Sequence, residues 1–234
     1  EWPVCHYLTK LRLLLDQAIS LGMLSENPAR KVRLRVPKKS KERRILTEDE
    51  ARRLLEISLM YRGRISGSLP TVVRLGLYAG LRDEEMCWLR WDAIHWEDRI
   101  IGIQESACEE TAAIWIPKDS ESRRLDVKKD CIQYLQRERE RQENEGILGP
   151  FVMPGGDNKK RGYRRRPLSQ DAPQKAFSKM IGEEKIDREI TVYSLRHTYA
   201  TMALRNGVDL RTLQKRMGHS SLNTTMQYLH YIEP

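Results

Sequence analysis

"TVYSLRHTYATMALRNGVDLRTLQKRMGHSSLNTTMQYLHY", residues 191–231, decides how the rest of this chain is read. Leu195, Tyr199, Met202 and Ala203 recur at helical spacing, and the run ends on Gly207, a residue suited to the left-handed position after a helix. Asp209 can cap the next helix, with Val208 and Leu213 placed as a hydrophobic staple. That helix stops at Gly218, and Ser220 or Ser221 can cap a third. Into this short run the sequence packs Arg196, His197, His219, Tyr228 and Tyr231. Two accounts are open: polar residues on the outside of an ordinary helix pair, or side chains that converge on one anionic atom.

Upstream, the Gly- and Pro-rich residues 146–173, with "KKRGYRRRP", read as a loop, and "CIQYLQRERERQ" before them as a helix. Three short strand candidates, 99–103, 112–117 and 123–127, are separated by polar turns and predict a small antiparallel sheet. "GLRDEEMCWLRW" carries Leu81, Glu85 and Leu89 at intervals of four, and a helix is expected from about Pro70 to Leu77. Thr47 with Glu50 forms a capping box that starts the main domain near residue 45. "KVRLRVPKKSKERRIL" reads as an extended basic linker. The opening helix places Tyr7, Leu8, Leu11, Leu14, Leu15, Ala18 and Ile19 on one stripe that must pack on something, and stops near Gly22. The sum is a mostly helical α+β fold with a small three-stranded antiparallel sheet and no internal repeat.

The chain has 234 residues, enough for one good-sized domain with a fragment of another and for a core that needs no staple. Its 42 Lys and Arg against 33 Asp and Glu give a formal charge of +9, which suits a polyanion, and nucleic acid before membrane because no long apolar segment is present. Cys5, Cys87, Cys108 and Cys131 are scattered without metal-ligand spacing, which predicts reduced thiols in a cytoplasmic setting. The first residue is Glu and no signal peptide follows, so the sequence is read as an excised fragment.

Each candidate for chemistry has an ordinary account beside the functional one. Arg82 and Glu85, at i and i+3, make a surface ion pair or an oriented guanidinium at a helix start, where free N–H groups gather anions. Lys118, entering the turn "KDSES", is a solvated turn residue or a proton donor. Arg196 is a surface arginine, His219 a capping histidine and Tyr228 a core tyrosine, unless they share a site.

Taken together, "YAGLRDEEMCWLRW", "IPKDSESRR" and "LRHTYATMALRNGVDLRTLQKRMGHSSLNTTMQY" resemble, in order and separation, the signature boxes of the tyrosine recombinase (phage integrase) family. "MGHSSLNTTMQY" matches the family's Gly-His-Ser with a tyrosine nine residues after the histidine. The resemblance covers about residues 45–231 and implies an integrase-type catalytic domain over 46–234, preceded by a basic linker, 37–45, and the C-terminal helix of a truncated core-binding domain, 1–36. It implies that Arg82 and Arg196 clamp a scissile phosphate, Lys118 protonates the leaving 5′ oxygen, His219 hydrogen-bonds the phosphate, and Tyr228 is the nucleophile. Glu85 corresponds to the acidic residue supporting the first arginine. Tyr193 stands where the family usually has a histidine, and a phenol with a reference pKa of about 10 is a poor base at neutral pH.

The implied function is site-specific cleavage and rejoining of double-stranded DNA through a 3′-phosphotyrosine, for integration or excision of a mobile element, by protomers assembled as a tetrameric synapse. Neither cofactor nor metal is expected, since the sequence has no P-loop and no acidic cluster suited to Mg²⁺. Lys38, Lys39 and Lys41 of the linker and Lys159, Lys160, Arg161, Arg164 and Arg165 of the loop are expected DNA-backbone contacts. The competing readings are relaxation of DNA by a type IB topoisomerase and a DNA-binding protein without chemistry on the same scaffold.

Overall fold

The computed structural model describes residues 2–33, 44–118, 122–155 and 165–232. The chain divides into two units, residues 1–42 and 43–234. In the first, helix α1 (Trp2–Ser20) is followed by a 3₁₀ turn at Pro28–Arg30. Asn27 ties the two: its Nδ2 donates to Asp16 Oδ1 at 2.6 Å and to the Arg12 carbonyl at 2.9 Å, while its Oδ1 accepts from the Ala29 N–H. The expected apolar stripe on α1 is only partly covered, because Tyr7, Leu11 and Leu14 are exposed.

The second unit begins with α2 (Glu48–Met60), where the Thr47–Glu50 capping box satisfies two N–H groups that a helix start leaves open. Helix α3 (Leu69–Ala79), with Pro70 in its first turn, ends on Gly80 in the left-handed region. Helix α4 (Asp83–Cys87) is a single short turn of helix, much less than the "GLRDEEMCWLRW" reading expected, and a 3₁₀ turn follows at Trp91–Ala93.

A three-stranded antiparallel sheet is present, but its membership differs from the sequence reading. Its order is β1 (Ile94–His95), β2 (Ile100–Ile103) and β5 (Arg123–Asp126). The 112–117 candidate instead contributes β4 (Ala113–Trp115), which pairs with β3 (Ser106–Cys108) as a separate two-stranded hairpin. Two residues are too few to show alternation, so β1 has no pattern of its own; pairing with Ile100 and Ile101 defines it.

Helix α5 (Lys129–Asn144) and α6 (Ala172–Glu183) complete the main core. The sequence reading missed α6 because it took the Gly and Pro content of 146–173 as loop through to its end. Pro173 in fact lies in the first turn of α6, and the helix buries Ala172, Ala176, Phe177, Met180 and Ile181 on one face. Helices α7 (Val192–Arg205), α8 (Leu210–Met217) and α9 (Leu222–Met226) close the unit, with a last 3₁₀ turn at Leu229–Tyr231.

α7 is the central strut. Its Leu195 faces Gly76 of α3 so closely that a Cβ at Gly76 would lie 2.7 Å from Leu195 Cβ. Full burial of a side chain such as Leu195 or Phe177 contributes roughly 1.5–3 kcal/mol each. A satellite core of Ala200, Ala203, Leu204, Leu213, Met217 and Tyr228 packs α7, α8 and the C-terminal segment together. Cys87, Cys108 and Cys131 are buried free thiols, and burial pushes those of Cys87 and Cys131 up to about 12. Among the described residues no helix is long and apolar enough to cross a membrane.

Candidate active site

Glu85 is the anchor. It is 2% exposed at the start of α4, and Arg82, the residue before that helix, grips it twice. The Arg82 backbone N–H donates to Oε2 and its Nη1 to Oε1, each at 2.8 Å. Arg123 reaches the same carboxylate from β5, Nη2 to Oε2 at 2.6 Å, and Arg196 Nη1 stands 3.9 Å from Oε2. Burial alone would raise the Glu85 carboxyl. The hydrogen bond from Arg123 and the charges of Arg123 and Arg196 outweigh it and hold the group below the usual carboxylate range.

The three arginines share a second partner, the carbonyl end of α8. A helix leaves its last carbonyls without intrahelical donors, and its C-terminus carries partial negative charge. Arg123 Nε donates to the Arg216 carbonyl at 2.9 Å, Arg196 Nη2 to that of Met217, and Arg82 Nη2 to that of Gly218. Arg196 Nη1 also takes the carbonyl of Gly80. Gly218 must be glycine on two counts: its φ is +58°, and a Cβ there would lie 2.9 Å from Arg123 Nη1. Burial draws the Arg196 guanidinium down to about 10, against the pull of Glu85, so it remains a cation at neutral pH.

His219 follows Gly218 at once. Its Nδ1 lies 3.0 Å from Thr225 Oγ1, and its Nε2 lies 3.4 Å from Arg196 Nη2. A guanidinium only donates, so Nε2 accepts in that contact and the ring proton sits on Nδ1, facing Thr225. Gln214 holds the His219 carbonyl at 2.9 Å.

Arg82, Lys118, Arg123, Lys215, Arg216 and His219 line a cavity of about 660 Å³. Lys118 enters it as an exposed side chain two residues beyond β4's neighbour Ile116. Arg196 lies behind His219, fully buried. Tyr228 does not line the cavity. It is 1% exposed, its hydroxyl lies 2.8 Å from His197 Nδ1, and its ring runs parallel to His219 with centroids 6.3 Å apart. Tyr193 is largely exposed, and its ring meets His197 edge-on at 4.4 Å.

The profile of the phage integrase family matches residues 33–233. The chain belongs to the phage integrase family. Among relatives of this phage integrase member, the tyrosine recombinase XerC of Serratia marcescens is 28% identical over 225 residues, which is 95% of this chain and 66% of that protein. The XerC of Proteus mirabilis is 28% identical over 94% of this chain and 65% of its own length, so the chain spans just under two thirds of these relatives. Among solved structures, the integrase of transposon Tn1549 in complex with a circular-intermediate DNA superposes with a TM-score of 0.75 at 20% identity, covering 97% of this chain and 74% of that one. The XerA recombinase superposes at 0.63 with 24% identity, over 84% and 64% of the two chains. At these identities the superpositions establish the fold.

Against the sequence reading of this integrase-family chain, the structure brings Arg82, Glu85, Arg196 and His219 into one connected cluster, with Lys118 on the shared cavity. It separates Tyr228 from that cavity and moves it off a continuous helix. Tyr228 caps the 3₁₀ turn Leu229–Tyr231, and its carbonyl accepts from the Tyr231 N–H at 3.1 Å. Arg165 is exposed, and its carbonyl takes a contact from Cys108 Sγ at 3.7 Å. Lys38, Lys39, Lys41, Lys159, Lys160, Arg161 and Arg164 lie outside the described residues. Sequence reasoning passed over Arg123 and Thr225, and named His197 without giving it a role. For Arg123 a signal existed: alternation on β5 puts it on the side of the buried Leu125.

Proposed function

We propose that this chain is the catalytic part of a site-specific DNA recombinase, which cleaves and rejoins DNA through a 3′-phosphotyrosine and serves integration or excision of a mobile element. Residues 46–234 form the catalytic domain, 37–45 a linker, and 1–36 the end of a core-binding domain. The substrate is double-stranded DNA, handled in the cytoplasm by protomers gathered as a tetramer. The observation that carries the reading is the gathering of Arg82, Arg196 and His219, from three distant segments, around the carbonyl end of α8 and beside the cavity that Lys118 enters.

The chemistry follows from charge. A phosphodiester is a monoanion whose non-bridging oxygens gain charge as a phenolate attacks. Arg82 and Arg196 supply permanent, planar, doubly donating cations at that point, each worth about 3–4 kcal/mol to such a transition state. His219, whose Nε2 accepts from Arg196 in this structure, adds a donor once its ring proton is carried on Nε2. Tyr228 attacks phosphorus, and Lys118 gives the proton that the departing 5′ oxygen requires. The ester retains the bond's free energy, so a second 5′ hydroxyl can reverse the attack and join new strands. Because Tyr228 is covered, a phosphate reaches its phenol only when the groups packed over it open.

The test is a suicide duplex nicked beside the scissile phosphate. A covalent protein–DNA adduct that vanishes in Tyr228→Phe supports the reading, and an adduct mapped by peptide sequencing to Tyr231 overturns the nucleophile assignment. The burial of Tyr228 favours one rival, a binder without chemistry, and the absence of any adduct would establish it.

A further inference from the structure

The phenol proposed as nucleophile needs somewhere to send its proton. With a reference pKa of about 10 it is almost wholly protonated at neutral pH, and a neighbouring phenol such as Tyr193 accepts no better. His197 meets the Tyr228 hydroxyl, Nδ1 to Oη at 2.8 Å, with both residues buried. An imidazole has a reference pKa of about 6.5, so at pH 7–8 it is mostly neutral and able to accept at an unprotonated nitrogen.

We propose that His197 is the proton acceptor for the Tyr228 hydroxyl in strand cleavage. The inference rests on the reading of Tyr228 as the nucleophile and adds to it the group that activates it. His197 belongs to α7, and it directly follows Arg196, so acceptor and phosphate clamp are successive residues of one rigid helix. The Tyr193 ring meets the imidazole edge-on, with centroids 4.4 Å apart. Tyr193 from its own helix and Tyr228 from the C-terminal segment face His197, and the His219 ring runs parallel to that of Tyr228. The phenol is thus already paired with its acceptor before any movement exposes it.

The step balances. The phenol O–H bond breaks toward His197 Nδ1, the phenolate oxygen bonds to phosphorus, the bond from phosphorus to the 5′ oxygen breaks, and that oxygen takes a proton from Lys118. In rejoining, Lys118 accepts the proton of the incoming 5′ hydroxyl, and the imidazolium of His197 returns its proton to the departing phenolate.

The experiment is single-turnover adduct formation on the suicide duplex by His197→Gln and His197→Asn, with the full chain. Each is expected to react about 100-fold more slowly than the unaltered protein at pH 7.5, with DNA affinity and melting temperature unchanged. Placing at position 228 a fluorinated tyrosine whose phenol ionises below neutral pH should restore His197→Gln to within about tenfold of the unaltered protein, because an ionised phenol needs no acceptor. A purely structural role would leave that rescue at zero. Cleavage by His197→Gln at the normal rate, or the same deficit with the fluorinated residue, overturns the proposal. Should both variants unfold, the protein with His197 intact carries the test. Its acid limb should then move down to the fluorinated phenol's own pKa, and an unmoved limb overturns the proposal. An adduct that persists in Tyr228→Phe instead sinks the nucleophile reading, which separates the two failures.

Discussion

Arg123 and Glu85, on β5 and α4, meet through a 2.6 Å ion pair that fastens the strand following the Lys118 turn to the helix that follows Arg82. Both side chains are nearly out of solvent, at 9% and 1%. Removing Arg123 leaves a buried carboxylate that Arg82 still hydrogen-bonds and the Arg196 charge still neighbours. Arg123→Ala should therefore destabilise by somewhat less than the roughly 3–5 kcal/mol of a fully orphaned buried charge. Urea unfolding measures this, and Glu85→Ala, which strands several guanidiniums at once, should be the worse of the two.

Acid should loosen the same joint. The folded Glu85 carboxyl lies below its reference value of 4.5, so its contribution to stability is complete above about pH 4.5 and is lost as pH falls through the folded value. Urea midpoints taken from pH 6 to pH 3 should fall more steeply for the unaltered protein than for Glu85→Gln. Parallel curves would contradict the assignment.

Arg196 has two duties, and its loss should register in both. Arg196→Ala withdraws donors from the carbonyls of Gly80 and Met217, each an unmet buried acceptor costing about 1–3 kcal/mol. Adduct formation should fall by hundreds-fold or more. Arg196→Lys keeps the charge but not the planar fork, and recovery by it should be slight. Adduct rates and thermal melts on the same preparations test both halves.

Lys118→Ala should slow cleavage of ordinary DNA far more than cleavage of DNA with a sulfur in the 5′ bridging position, because the thiolate leaves without a proton. Equal slowing on both substrates would remove the acid role.

Gly218→Ala should fail for backbone reasons. A left-handed φ of +58° costs an alanine about 1–2 kcal/mol, and the new methyl would press on Arg123 Nη1. Chemical denaturation should show at least that loss, with slower adduct formation as Arg123 is pushed aside.

Local chemistry made much of this fold legible in the sequence. The Thr47–Glu50 box, the Asp209 cap and the Gly207 and Gly218 stops are set by neighbours within a few residues, and each stands where its residues predict. What was misread depends on distant partners. β1 exists only through β2, and 112–117 joins Ser106–Cys108, not the larger sheet. The i, i+4 spacing of Ala172, Ala176 and Met180 was open to reading but was masked by the prolines around it. In the site, Arg82 with Glu85 is a contact three residues long and could be foreseen. The bond between His197 and Tyr228 spans 31 positions, and no local pattern announces it.

The carbonyl end of α8, held by guanidiniums from three other segments, bears on how variants of this protein should be screened. Like charges are gathered there before any phosphate arrives, and Glu85 and peptide oxygens answer their mutual repulsion. Folding and electrostatic readiness are then a single event. A substitution chosen to tune turnover at these side chains also moves the melting curve, so a screen that scores activity alone will confuse a slow enzyme with a partly unfolded one.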